Sequence, residues 1–235
     1  MAELGAAHRR RLREIWRSAG WPCHDALELE LLAAGLLTRQ WDSDGRETLR
    51  VTDAGIALLA ATHQRNQAAF GAHEALVQRV ALEMQRAGRV VWRALSLRAP
   101  LPVEGGGTAW AVAMPDVFSI RHTTVEDYVE PIVHEIKVSR ADLLSDLRRA
   151  NKGAAYRALA SQCWYVLREG IAEPDEVPVE FGVLIARGET LDVARAAPRR
   201  AMRLPFPVWM VLARATADAP PDEDPQAWLG STSDG

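Results

Sequence analysis

Lysine is nearly missing from this chain. Of its 28 basic side chains only Lys137 and Lys152 are lysines, and the remaining 26 are arginines. Where arginine serves as the general cation, a retained lysine marks a position whose chemistry prefers a compact, strongly hydrated ammonium to a planar fork. Cysteine is equally sparse. Cys23 and Cys163 lie far apart, which excludes a disulfide framework and a four-thiolate zinc site and suits a reducing compartment. Cys23-His24 has no second ligand pair for zinc. There is no run of 18 apolar residues, as a membrane-spanning helix would need. The segment from Met1 to Arg13 carries charge where a secretory leader needs an apolar stretch, so a soluble, cytoplasmic protein with no membrane role is expected. Gly105-Gly106-Gly107 lacks the following helix and Lys-Ser/Thr of a nucleotide-binding loop, and no internal repeat is visible.

What is present is enough apolar residue, 48% of 235, to bury one large core or two small ones. The net charge of −3 is unevenly spread. Residues 1–72 carry nine basic and nine acidic groups, residues 73–217 carry 19 and 17, and residues 218–235 carry none and five. The body is therefore slightly basic. Its arginines cluster at Arg9-Arg10-Arg11 with Arg13, at Arg148-Arg149 with Lys152, and at Arg199-Arg200 with Arg203. Local potential, not total charge, governs phosphate contacts, although such runs also serve as plain solvated faces.

The pattern predicts two domains and a tail. Over residues 8–18, Leu12, Ile15 and Trp16 recur at helical spacing; a second helix over 24–34 ends at Gly35. Residues 36–41 and 46–51 read as two strands joined by the turn Asp42-Ser43-Asp44-Gly45, and Thr52 is suited to cap a third helix over 53–61. Residues 62–72 read as a linker or helix extension. A helix is expected over 73–87 and strands over 89–97, 109–120 and 131–138. Helices follow over 141–150 and 152–160, then strands over 162–167 and 181–186: a mixed α/β (α+β) domain. Residues 215–235, rich in Pro and acid, are expected to be a disordered acidic tail, in which Trp228-Leu229 is an apolar pair.

If 131–138 is a strand, Glu135 and Lys137 share a face and Ile136 points away. An acid and a lysine on an apolar strand are costly to bury without partners. Asp116, just after Pro115 and late in the preceding strand, would bring a second carboxylate beside Glu135. Two carboxylates suit Mg²⁺, which keeps several waters and accepts substrate phosphate. His134 should point to the other face as a packed histidine, and His122 has no evident partner. The plain structural alternative is that Asp116 caps a turn while Glu135 and Lys137 pair on an edge strand.

Two resemblances follow from these residues. The stretch "LLAAGLLTRQWDSDGRETLRVTDAGIALLA" resembles a winged helix-turn-helix, placing such a domain at 1–65. That implies DNA binding, with Arg39, Arg46 and Arg50 of the wing as phosphate contacts. Asp25, Glu28 and Glu30 on its second helix instead favour a protein contact or a structural role. Pro115-Asp116, a hairpin, then Glu135-Ile136-Lys137 leading into a helix, resembles the PD-(D/E)xK nuclease superfamily. Residues 73–214 would then form a restriction-endonuclease-like αβββαβ core with a mixed sheet. The flanking "EIKVSRADLLSDLRRANKGAAYRALASQCWYVL" is similar to the MmcB-like DNA repair branch.

These resemblances imply a Mg²⁺- (or Mn²⁺-) dependent nuclease acting on DNA in repair or processing. Asp116, Glu135 and the Ile136 carbonyl would hold metal, and Lys137 would orient or polarise the attacking water. An acidic residue of the preceding helix would face the site, Glu74 or, alternatively, Glu83. Ser139, Asp142, Asp146, Lys152 and Tyr156 would support the site or contact phosphate, and Arg148 and Arg149 would bind DNA. The rival expectation is a non-catalytic winged-helix DNA-binding regulator whose α/β domain is a degenerate nuclease scaffold serving for dimerisation; on either reading a homodimer or a protein partner through the winged-helix segment is expected.

Overall fold

The computed structural model describes residues 4–103 and 105–219. It is a mixed α/β protein with six α-helices and a mixed sheet among those residues, and the chain divides into two compact units, Met1–Phe70 and Gly71–Gly235. No helix among the described residues is long and apolar enough to cross a membrane.

The first unit contains α1 (Ala6–Arg17), α2 (Ala26–Ala33) and the antiparallel hairpin β1 (Leu37–Trp41) with β2 (Glu47–Val51), followed by the start of α3 (Asp53–Arg86). Leu12, Ile15, Leu31, Leu36, Leu37 and Leu49 form its core. The Asp25 side chain caps α2 by accepting from Glu28 N. Thr52 ties the hairpin to α3: its hydroxyl donates to Gly35 O and accepts from Gly55 N. Residues 62–72, expected as a linker or extension, are helical throughout, because their Ala, Gln and Arg residues favour helix and no proline interrupts them.

The second unit is built on a six-stranded sheet of order β10-β9-β8-β7-β6-β3. The strands are β3 (Arg89–Arg93), β6 (Val117–Arg121), β7 (Ile132–Lys137), β8 (Gln162–Arg168), β9 (Gly182–Arg187) and β10 (Thr190–Arg195). β3, β6 and β7 are mutually antiparallel, β7, β8 and β9 are parallel, and β10 returns antiparallel to β9. The crossover between β7 and β8 carries α4 (Arg140–Leu147) and α5 (Ala150–Leu159). One sheet face packs Val91, Val117, Ile136, Val166 and Leu184 against Leu76, Val77 and Val80 of α3. The other packs Val133, Tyr165, Leu167 and Val183 against Leu143, Tyr156 and Leu159, and against Val208 and Leu212 of α6 (Phe206–Arg214).

Three sequence expectations change. The single strand over 89–97 is two, because Ala94 takes a left-handed conformation (φ 51°) between β3 and β4 (Leu97–Pro102). The single strand over 109–120 is also two, β5 (Thr108–Ala113) and β6, and β5 pairs with β4 in a sheet of its own. Asp116 therefore stands in a break between strands and not within one. Finally, residues 215–219, expected within the disordered tail, are ordered against the sheet: Asp218 N donates to Val91 O and its carboxylate pairs with Arg93. The remainder of that tail, with Trp228-Leu229, lies outside the described residues. β10 and α6 had no counterpart in the sequence reading.

Candidate functional site: a buried lysine and carboxylate cluster

The break before β6 creates the site. β6 and β7 pair with Val117 opposite His134 and Ser119 opposite Ile132. Continuing that register would set Pro115 against Ile136, but proline has no N–H to donate and the ladder stops. The Asp116 carboxylate takes over, Oδ2 accepting from Ile136 N at 2.7 Å. The Ile136 carbonyl, which points to the same side as its N–H, is thereby left without a ladder donor. Asp116 is thus pinned beside the backbone between Glu135 and Lys137.

Glu135 and Lys137 project from the opposite face of β7, toward α4 and α5, and both are buried. Each helix meets them with a pair of residues four apart, which share one helical face. From α5, Lys152 Nζ donates to Glu135 Oε1 at 2.6 Å and to Asp146 Oδ1 at 2.6 Å, while Tyr156 Oη donates to Glu135 Oε2 at 2.6 Å. From α4, Asp142 and Asp146 lie 3.2 and 3.7 Å from Lys137 Nζ, which also donates to Glu135 Oε1 at 2.8 Å. Tyr165 on β8 donates to Asp146 Oδ2 at 3.0 Å. Both lysines of the chain belong to this one cluster.

Burial and the neighbouring Glu135 raise the Asp116 carboxyl above its ordinary range, and only partly do the Ile136 amide, His73 and Lys137 offset this. Burial by itself would lower Lys137, yet Glu135, with Asp146 and Asp142, outweighs it and holds the ammonium above its ordinary value. Burial together with Glu135 raises Tyr156, and burial together with Asp146 raises Tyr165, so both phenols stay protonated hydrogen-bond donors. Four carboxylates against two ammoniums leave the cluster two negative charges in excess. Asp142, Lys152 and Asp116 are its solvent-facing members, with side chains 53%, 25% and 21% exposed.

The other sequence candidates are placed as follows. Glu74 does not face Asp116. Its carboxylate lies 3.4 Å from His73 Nδ1 at the surface, and it is His73 Nε2 that lies 3.4 Å from Asp116. Glu83 pairs with Arg86 away from the site. The Ser139 hydroxyl caps α4 by accepting from Asp142 N. Arg39 pairs with Glu47 at 3.1 Å, and Arg39 and Arg50 lie on opposite faces of the β1–β2 hairpin, since Arg39 opposes Leu49 and Arg50 opposes Thr38. Arg46 sits at the hairpin turn, where its backbone N–H donates to Asp42. The acids of α2 are consumed internally: Asp25 binds Arg11, buried Glu28 accepts from Cys23 N and His24 N, and Glu30 meets His8. Arg148 and Arg149 line a groove of about 790 Å³ with residues 111–114 and Lys152. His134 is buried on the α3 face of the sheet, as its alternation with Glu135 required. His73 and Tyr165 were missed, and no local signal marks them, because their contacts are made only by folding.

Among the described residues no three His, Cys, Asp or Glu side chains are arranged to hold a metal by themselves. A cation here would rest on Asp116, Glu135 and a backbone carbonyl.

The class defined by fold and site is thus a mixed α/β protein with a buried, net acidic cluster at a strand break. No protein-family model matches the chain, and no curated protein matches it. Among solved structures, a protein of unknown function from Silicibacter pomeroyi is similar to it, at 22% identity and a TM-score of 0.40, over 58% of this chain and 79% of that one.

Proposed function

We propose that residues 71–219 form a metal-dependent nuclease of the PD-(D/E)xK kind, cutting DNA phosphodiester bonds in repair or processing. The observation that carries this reading is the bond from Ile136 N to the Asp116 carboxylate. It holds the Asp116 carboxylate against the backbone between Glu135 and Lys137, close enough for both to act on its charge. The α3, β3-β6-β7, α4-α5, β8 order is consistent with the αβββαβ core of that superfamily.

The donor set fits Mg²⁺ or Mn²⁺: hard oxygen ligands, few enough to leave room for water and phosphate, in a cluster with two negative charges in excess. Asp116, Glu135 and the Ile136 carbonyl would hold the ion. When bound, such an ion supplies a Lewis acid that lowers the pKa of water and neutralises charge on phosphate. Lys137, kept charged by Glu135, sets an ammonium where negative charge develops on the scissile phosphate. Tyr156 and Lys152 each donate to Glu135 and hold its carboxylate in one orientation. Tyr165 and Lys152 do the same for Asp146, which with Asp142 keeps Lys137 aimed.

For the first unit we propose a winged helix that holds DNA through Arg46 at the hairpin turn and Arg50 on the face turned away from buried Leu49. Glu28 is buried and Asp25 pairs with Arg11, which weakens the case for an acidic protein-contact face on this segment. Two free cysteines, one exposed and one buried, suit a reducing, cytoplasmic setting.

The test is cleavage of single-stranded, nicked, branched and abasic DNA with and without Mg²⁺. Asp116→Ala and Lys137→Ala are each expected to lose activity by about 10²- to 10³-fold. Lys137→Arg should also lose nearly all of it while retaining the fold by circular dichroism, because a planar fork cannot occupy the ammonium's position among three carboxylates. Wild-type-like cleavage by both alanine variants would sink the assignment. Stable, metal-indifferent DNA binding without cleavage would favour the non-catalytic regulator.

A further inference from the structure

The β4–β5 hairpin lies outside the main sheet, and its outward face is unusual. Thr108, Trp110 and Val112 alternate onto one face of β5, opposite Pro102, Pro100 and Arg98 of β4. The inward residues Leu97, Ala99 and Ala113 are buried in the core, so the outward set faces solvent. Trp110, Val112 and Met114 are 49%, 67% and 56% exposed. β5 pairs only with β4 among the described residues, and its other edge borders the groove shared with Arg148, Arg149 and Lys152. Arg98, Arg148 and Arg149 have no acidic partner among the described residues, unlike Arg140, Arg157 and Arg187 of the same unit. The groove ends at the cluster itself: Tyr156, which binds Glu135, also lies 3.1 Å from Met114 O.

An apolar and aromatic strip flanked by unpaired arginines demands a ligand with both flat apolar faces and regularly spaced negative charge. A nucleic-acid strand has both, but only when its bases are unstacked. In a duplex the base faces are covered by their neighbours, and Trp110 and Val112 would meet sugars and phosphates instead. We infer that the outer face and free edge of the β4–β5 hairpin, with the α4–α5 turn, form a track for a single nucleic-acid strand. Trp110 stacks on a base, and Arg98, Arg148 and Arg149 bind phosphates. The track leads the strand to Glu135 and Lys137, so single-stranded or locally unpaired DNA is the substrate class. The role of that end of the track rests on the nuclease reading above; the binding itself does not.

The full-length protein should be titrated in EDTA with a fluorescent oligodeoxythymidylate of about 15 nucleotides, long enough to cover one such site, and with a blunt duplex of equal length. Because the hairpin of the first unit is proposed to hold DNA as well, the duplex serves as the reference whose binding does not depend on Trp110. Trp110→Ala should weaken strand binding about tenfold with an unchanged salt slope, and Trp110→Phe should restore most of it. Arg149→Ala and Arg98→Ala should each lower the slope of log affinity against log salt by about 0.7. Strand binding indifferent to Trp110 in a variant that melts like wild type, or duplex binding weakened by Trp110→Ala as much as strand binding, overturns the track. Strand binding that depends on Trp110, in a protein that never cuts DNA in Mg²⁺, upholds the track and removes only the nuclease reading.

Discussion

His134 and Lys137 stand three residues apart on one strand and titrate in opposite senses. Lys137 has Glu135 to outweigh its burial. His134 has none: burial and then Arg89 lower its pKa to about 3, and its Nδ1 is buried without a hydrogen-bond partner. Because the folded value lies below the ordinary 6.5, the unfolded chain takes the proton first. Stability is therefore fully present above pH 6.5 and falls as pH drops toward 3, by up to about 1.4 kcal/mol per pH unit. Thermal melts between pH 7 and about pH 4.5 should show that loss, and His134→Leu should flatten the curve over the window. An unchanged slope in the variant would show that other groups dominate acid unfolding.

Among the elements, the strands with clear alternation were legible and the turns between them were not. β7 could be read from Ile132, Val133 and Ile136 around the charged pair, since a period of two survives on either face of a sheet. Residues 109–120 carry enough apolar character for one strand. Only the pairing of β5 with β4, and of β6 with β7, reveals that Pro115 separates them. The nuclease resemblance points to an acid on the preceding helix, Glu74, whereas the rotation of α3 against the sheet brings His73 to Asp116. In the first unit, Gly20 (φ 78°) presses on β2, and a Cβ there would lie 2.2 Å from Leu49 O. Gly20→Ala should therefore cost the unit about 2 kcal/mol through strain and the lost approach. Hydrogen exchange should show faster amide exchange across residues 1–70 in the variant, and wild-type protection there would refute the strain.

At the scale of the whole molecule, the scarcity of lysine becomes an experimental handle. The only two lysines of 235 residues lie in one cluster. In the native protein an amine-reactive reagent at about pH 8 should leave Lys137 unmodified, since it is buried and held charged. Lys152, partly exposed, should react slowly, and both should react freely once the chain is unfolded. Peptide mass spectrometry reads this directly, and native labelling of Lys137 at the unfolded rate would contradict the burial described. By itself the sequence determined the local matters: which segments alternate, where helices are capped, that lysine is kept at only two positions, and that Glu135 and Lys137 share a face. Those follow from properties of neighbouring residues. The convergence of Asp116, Asp146, Lys152, Tyr156 and Tyr165 on that face was decided only by the tertiary structure. It depends on strand register and on the packing of α4 and α5, contacts between residues up to 30 positions apart, which no local pattern encodes.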